Sequence, residues 1–134
     1  MEIITQNASG KATKMVSFKL TFSNVRQGLP AELWIHVQGN AEWEGFRGHA
    51  WGTASVSTDK ANTNPFPVDT LRLRIIMQTP DTQNKEDSGQ HIASIDNSVE
   101  WVGTTPMFSG PHSDFYASAN HPGYGNFSTH TSVY

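Results

Sequence analysis

The densest run of chemically capable side chains is Gly39-Asn40-Ala41-Glu42-Trp43-Glu44-Gly45-Phe46-Arg47-Gly48-His49-Ala50-Trp51-Gly52. Two indoles, a phenyl ring, two carboxylates, a guanidinium and an imidazole fall within fourteen residues, spaced by four glycines. Rings beside carboxylates and amides suit sugar recognition. A pyranose stacks its C–H face on an indole, while Glu, Asn, Arg or His exchange hydrogen bonds with its hydroxyls. The same residues also describe a twisted hairpin whose tryptophans fill a core and whose glycines permit bulges and close backbone approach.

A second candidate is His121-Pro122-Gly123-Tyr124-Gly125-Asn126, a turn with Tyr124 between two glycines at its tip. The ring could stack on a ligand, plug into a neighbouring subunit, or cap the core. The candidate ligand-binding residues are therefore Asn40, Glu42, Trp43, Glu44, Arg47, His49, Trp51, His121, Tyr124 and Asn126.

Catalysis and metal binding have thinner support. Glu42 and Glu44 share a face if this stretch is a strand, with Cα atoms roughly 6.5–7 Å apart. That is near the separation of a glycosidase pair, but nothing in the sequence singles out one carboxyl for a raised pKa. His112 and Asp114 share a strand face and, with His121 and His130, could hold a cation. No HExxH or HxH motif accompanies them, and isolated surface histidines are the ordinary alternative. There is no GxSxG elbow and no glycine-rich phosphate loop leading into a helix. The expectation is a protein that is not an enzyme and uses no metal or cofactor.

Composition sets the wider limits. Only 16% of the 134 residues are charged, against roughly 25% in typical domains, and the net charge is −3. Ser, Thr, Asn and Gln supply 41 residues, so the surface is built from hydroxyls and amides. Nine Lys and Arg scattered along the chain make no basic patch, which argues against nucleic acid as a partner. No run of 18 apolar residues occurs, so membrane contact is expected only through surface glycans or rings at the lipid interface. Cysteine is absent, which removes disulfides and thiolate chemistry. The segment MEIITQNASGK has neither a basic n-region nor an apolar h-region. A cytoplasmic protein, or one released without a classical signal peptide, is expected.

The elements that must position these groups are strands. Val16, Phe18, Leu20 and Phe22 alternate with polar residues, as do Leu33, Ile35 and Val37, and Leu71, Leu73, Ile75 and Met77. Weaker alternation covers Gly48–Ser57, Ser98–Val102 and Asn126–Tyr134. Short strands are expected at Glu2–Gln6, Gln90–Ile95 and Ser113–Ala117. Polar turns separate them, and Asp59–Pro67 and Thr79–Gly89 read as long surface loops. The pattern predicts an all-β fold: an antiparallel, jelly-roll-like β-sandwich of seven or eight short strands in one domain, with little or no helix.

Residues 103–134 stand apart. They hold one charged side chain, Asp114, yet six of the fourteen aromatic residues and half of the six histidines. Such a segment should pack on something: its own sheet, a ligand or a neighbouring copy. Three functions fit the whole: a homo-oligomeric glycan-binding protein; a self-assembling structural or membrane-surface subunit using this segment as an arm; or, ranked last, a hydrolase built on Glu42 and Glu44 or on a His–Asp metal site.

Overall fold

The computed structural model describes residues 9–23, 25, 27–79, 81–103 and 112–133. The strand expected at 2–6 and the turn at 104–111 lie outside them. Eight strands run β1 (Ser9–Thr21), β2 (Glu32–Glu44), β3 (Arg47–Ser57), β4 (Val68–Met77), β5 (Gln83–Ile92), β6 (Ser94–Val102), β7 (Ser113–His121) and β8 (Gly125–Val133). They form two four-stranded antiparallel sheets, ordered β1-β2-β3-β6 and β5-β4-β7-β8. No helix occurs among the described residues. The alternating pattern therefore reports a β-sandwich, each sheet turning one apolar face inward.

Three expectations about elements need correction. The strand expected at 90–95 is instead the junction of β5 and β6, which meet at Ala93. The stretch 79–89 is not a long loop, because β5 occupies Gln83–Ile92. Gln83-Asn84-Lys85-Glu86-Asp87-Ser88 shows no apolar alternation because β5 is an edge strand with most side chains in solvent. β1 and β2 are also longer than expected, at thirteen residues each. β2 continues through Gly39–Glu44, where glycine, amide and carboxylate residues hide a strand that pairs on both sides.

Inside the first sheet, side-chain volume changes systematically along the strands. Opposite residues of an antiparallel pair share a face, so the register orders the inner rows. Trp43, Gly48 and Trp101 form the row next to the β2–β3 turn, and Ala41, Ala50 and Val99 the next. Gly39 and Gly52 follow, then Val37, Ala54 and Ile95, then Ile35 and Val56. Phe115 of β7, fully buried, fills the space left by the glycine pair. A Cβ on Gly39 would lie 2.5 Å from Cδ2 and Cε2 of Phe115. One on Gly52 would lie 3.1 Å from its Cδ1. The two glycines thus form the floor on which the central ring of the opposite sheet rests.

The core spans both sheets, with Leu33, Leu71, Leu73, Ile75, Met77 and Phe127 among its members. Phe18 shares the inward face of β1 but is 49% exposed, because β1 is an edge strand that the second sheet only partly covers. Asn97 is a buried polar residue of the first sheet's inner face. Its Nδ2 donates to the carbonyls of Leu73 (2.8 Å) and Lys85 (2.9 Å), tying edge strand β6 to the second sheet.

Candidate functional site

β2 and β3 meet at the two-residue turn Gly45-Phe46, closed by the pair Glu44 and Arg47. Gly45 has φ 56°, the left-handed backbone required at the first central position of a II′-type hairpin turn. From this turn the register divides the Gly39–Gly52 cluster between two faces. Asn40, Glu42, Glu44, Arg47, His49 and Trp51 fall on the outer face of the first sheet, with Ser98 and Glu100 of β6 in the same rows. Trp43 falls on the inner face with Trp101. One tryptophan of the cluster therefore serves the interior while the other is presented outside.

The outer group is ordered by its own contacts. The imidazole of His49 stacks on the indole of Trp51, with centroids 4.6 Å apart and planes inclined by 24°. His49 Nδ1 lies 3.9 Å from Glu42 Oε1 on the facing strand. Asn40 accepts from Thr13 Oγ1 at 2.7 Å and donates to the Trp51 carbonyl at 3.3 Å. Thr53 Oγ1 donates to Asp96 Oδ1 at 2.6 Å. Two open depressions flank the stacked pair, and His49 lines both. One, of about 850 Å³, lies at the turn end between Glu42, Glu44, Arg47, Glu100 and the two inner tryptophans. The other, of about 420 Å³, lies between Trp51, Asp96 and Ser98 and the β5 residues Lys85 and Asp87. Together they carry five carboxylates against two permanent cations. Among the described residues, the buried indole N–H groups of Trp43 and Trp101 meet no acceptor.

Glu42 and Glu44 share the outer face, as the i, i+2 spacing requires. Glu42 Oε1 lies 3.9 Å from His49 Nδ1, and Glu44 lies opposite Arg47 across the turn.

The other candidates lie at the far end of the sandwich. β2 alone spans roughly 40 Å at about 3.3 Å per residue. Tyr124, in the β7–β8 turn, donates its hydroxyl to the Pro30 carbonyl just before β2, at 2.6 Å. Its ring packs against Phe22 (4.6 Å), His121 (5.1 Å) and Phe66 (5.8 Å). Burial raises the pKa of its phenol. Tyr124 and His121 thus close the core at the end opposite the hairpin turn. Asn126 faces Asn120 on the outer side of the second sheet and accepts from its amide. The structure accordingly brings six of the ten candidates onto one face, with Trp43 behind them, and sets His121, Tyr124 and Asn126 elsewhere.

The histidines do not converge either. His112 Nε2 lies 2.8 Å from Asp114 Oδ1, which also accepts from Ser132 Oγ at 2.5 Å. His121 sits at the opposite end of β7, and His130 stacks on Tyr116 instead. No group of three potential ligands that could hold a metal occurs among the described residues.

One polar network went unread in the sequence. His36 lies on the outer face of β2 yet is only 5% exposed, covered by the 58–67 segment. Ser57 Oγ donates to the Asp59 carbonyl at 2.7 Å, so it accepts from His36 Nε2–H, also at 2.7 Å. His36 Nδ1 is then the acceptor for Ser17 Oγ–H at 2.8 Å. Burial lowers the His36 pKa, partly opposed by the Asp59 carboxylate. Asp59 in turn accepts from Thr63 Oγ1 and from the amides of Thr63 and Asn64. Asn62, at φ 60°, reaches back to Ser55 Oγ at 2.9 Å. The expected surface loop is folded down as a cover, and the serine–histidine link anchors it.

Comparison with protein-family models, curated proteins and solved structures gave no match.

Proposed function

We propose that the chain is a non-enzymatic carbohydrate-binding protein whose site is the outer face of β2, β3 and β6. The observation that carries this reading is the stacked His49–Trp51 pair, set between Asn40 and Glu42 on one side and Asp96 and Ser98 on the other. The indole face of Trp51 turned away from His49 can stack on the C–H face of a pyranose, and the surrounding amide, hydroxyl and carboxylates match its hydroxyls. The excess of carboxylates favours neutral or amino-bearing sugars over acidic ones. An open, shallow site gives weak single-site affinity, which a homo-oligomer converts into avidity at a glycan-bearing surface.

A glycan array followed by calorimetry with the best neutral oligosaccharide tests this. Wild-type protein should bind, and Trp51→Ala should lose about tenfold or more in affinity, about 1.4 kcal/mol, with its circular dichroism unchanged. Tyr124→Phe should bind as wild type does. Absence of binding to any glycan, or full binding by Trp51→Ala, would refute the assignment.

A further inference from the structure

The four sheet edges differ in chemistry. β1 exposes Lys14 and Lys19, β5 exposes Lys85, Glu86 and Asp87 in succession, and β6 exposes Asp96 and Glu100. Charges of this kind deter the addition of another strand. β8 has none: Gly125-Asn126-Phe127-Ser128-Thr129-His130-Thr131-Ser132-Val133 contains no charged residue and no proline, and its one glycine is the first residue. β7 pairs with it from end to end, and no strand among the described residues pairs with its other side.

The β8 sequence also reads the same in both directions about His130. Ser128 and Thr129 precede it as Ser132 and Thr131 follow it, and Phe127 and Val133 flank the five. We propose that β8 pairs antiparallel with the β8 of a second copy about a twofold axis at His130, joining two four-stranded sheets into one of eight. This deepens the oligomeric part of the reading above and is independent of its sugar chemistry.

In that register each row is compatible. Phe127, buried on the inner face, meets the partner's Val133 and extends the apolar interior. Ser128 meets the partner's Ser132 on the outer face. Thr131 meets the partner's Thr129 on the inner side. Thr131 Oγ1 is buried and meets no hydrogen-bond partner among the described residues, and a facing threonine hydroxyl supplies one. On the outer face His130 already stacks on Tyr116, at 5.2 Å and 11°. The axis would place the two such pairs side by side. An isologous contact of this kind closes at two copies and leaves no free β8 edge.

Sedimentation velocity of the full chain over a concentration series tests the proposal, and the self-facing position gives it a specific signature. Wild type should dimerise. Residue 130 is exposed, so both His130→Lys and His130→Glu should fold, as circular dichroism will show. Each alone should weaken dimerisation about tenfold by setting like charges opposite one another. An equimolar mixture of the two should restore the dimer. In this cysteine-free chain, His130→Cys should form an interchain disulfide by itself. Ser128→Cys should do so only when mixed with Ser132→Cys. A wild-type protein that stays monomeric, a dimer indifferent to charge at position 130, or a mixture that stays monomeric would each overturn the proposal.

Discussion

Placing a single methyl group on Gly39 tests the central packing arrangement of this sandwich. The new Cβ would lie 2.5 Å from two ring carbons of Phe115, whereas carbon atoms settle at about 3.5–4.0 Å. The ring would have to withdraw by about 1 Å, yet Phe115 is fully buried and its other edge already rests on Gly52. Overpacking of this sort costs about 1–3 kcal/mol. Replacing a strand glycine returns about 0.5–1 kcal/mol through the unfolded chain. Gly39→Ala should therefore lose about 1–2 kcal/mol net and lower the melting temperature by about 3–8 °C. Phe115→Leu removes Cε2 and replaces the planar ring by a branched chain that can turn its methyl groups away from residue 39. Urea unfolding of both single variants and the double, followed by tryptophan fluorescence, forms a complete cycle. Gly39→Ala should be neutral or stabilising when combined with Phe115→Leu, a coupling of about 1–2 kcal/mol. Gly52→Ala should cost more than Gly39→Ala, because its Cβ strikes the Gln38 backbone carbonyl, which cannot rotate aside. Equal penalties for Gly39→Ala with phenylalanine or leucine at position 115 would refute the ring-on-glycine arrangement.

Two further perturbations probe the polar links. Because burial lowers the His36 pKa, the unfolded chain binds more protons than the native one at mildly acid pH. The stability due to neutral His36 is therefore complete above its unfolded pKa of about 6.5 and declines as pH falls below it. Thermal melts between pH 7.5 and 5 should show this slope, and His36→Gln should flatten it. Asn97→Ala frees the carbonyls of Leu73 and Lys85 from their amide donor. It should cost about 2–4 kcal/mol in urea unfolding, against a few tenths for Ser98→Ala on the outer face.

Much of this architecture is legible because burial imposes alternation. Leu33, Ile35 and Val37, and Leu71 through Met77, announce their strands because each inner row needs a large apolar group. The signal fades where the packing partner changes the requirement. At Gly39 and Gly52 the ring comes from the opposite sheet, so the position reads as a turn or bulge although it is mid-strand. At β5 the edge position removes the apolar requirement altogether, and the strand reads as a loop. The Gly39–Gly52 cluster shows the same limit at the level of function. Its composition was visible, but only the register places Trp51 with Asn40, Glu42 and His49 and turns Trp43 to the other face. The aromatic richness of residues 103–134 is resolved similarly. Phe115 and Phe127 enter the core, Tyr124 caps it, and Tyr116 remains on the outer face. Within it, residues 113–133 make up half of the second sheet, faced outside by Ser118, Ser128, Asn120, Asn126 and His130, while Phe108 and Tyr134 lie outside the described residues.

The uneven distribution of charge also links the two proposals. Charged side chains stand on the outer faces of both sheets, including Arg72, Arg74 and Asp114 on the second, and on three edge strands, whereas β8 carries none. A twofold axis between antiparallel strands stands perpendicular to the sheet they form, so pairing through β8 does not turn either copy over. Both outer faces of the first sheet then point the same way, away from the joined sheets. If both proposals hold, two shallow sugar sites would lie side by side, where the second contact is made at the effective concentration set by the first. A dimer formed by stacking outer faces would bury those sites instead. Pairing through the uncharged β8 edge, as proposed, would leave the His49–Trp51 pair of each copy open.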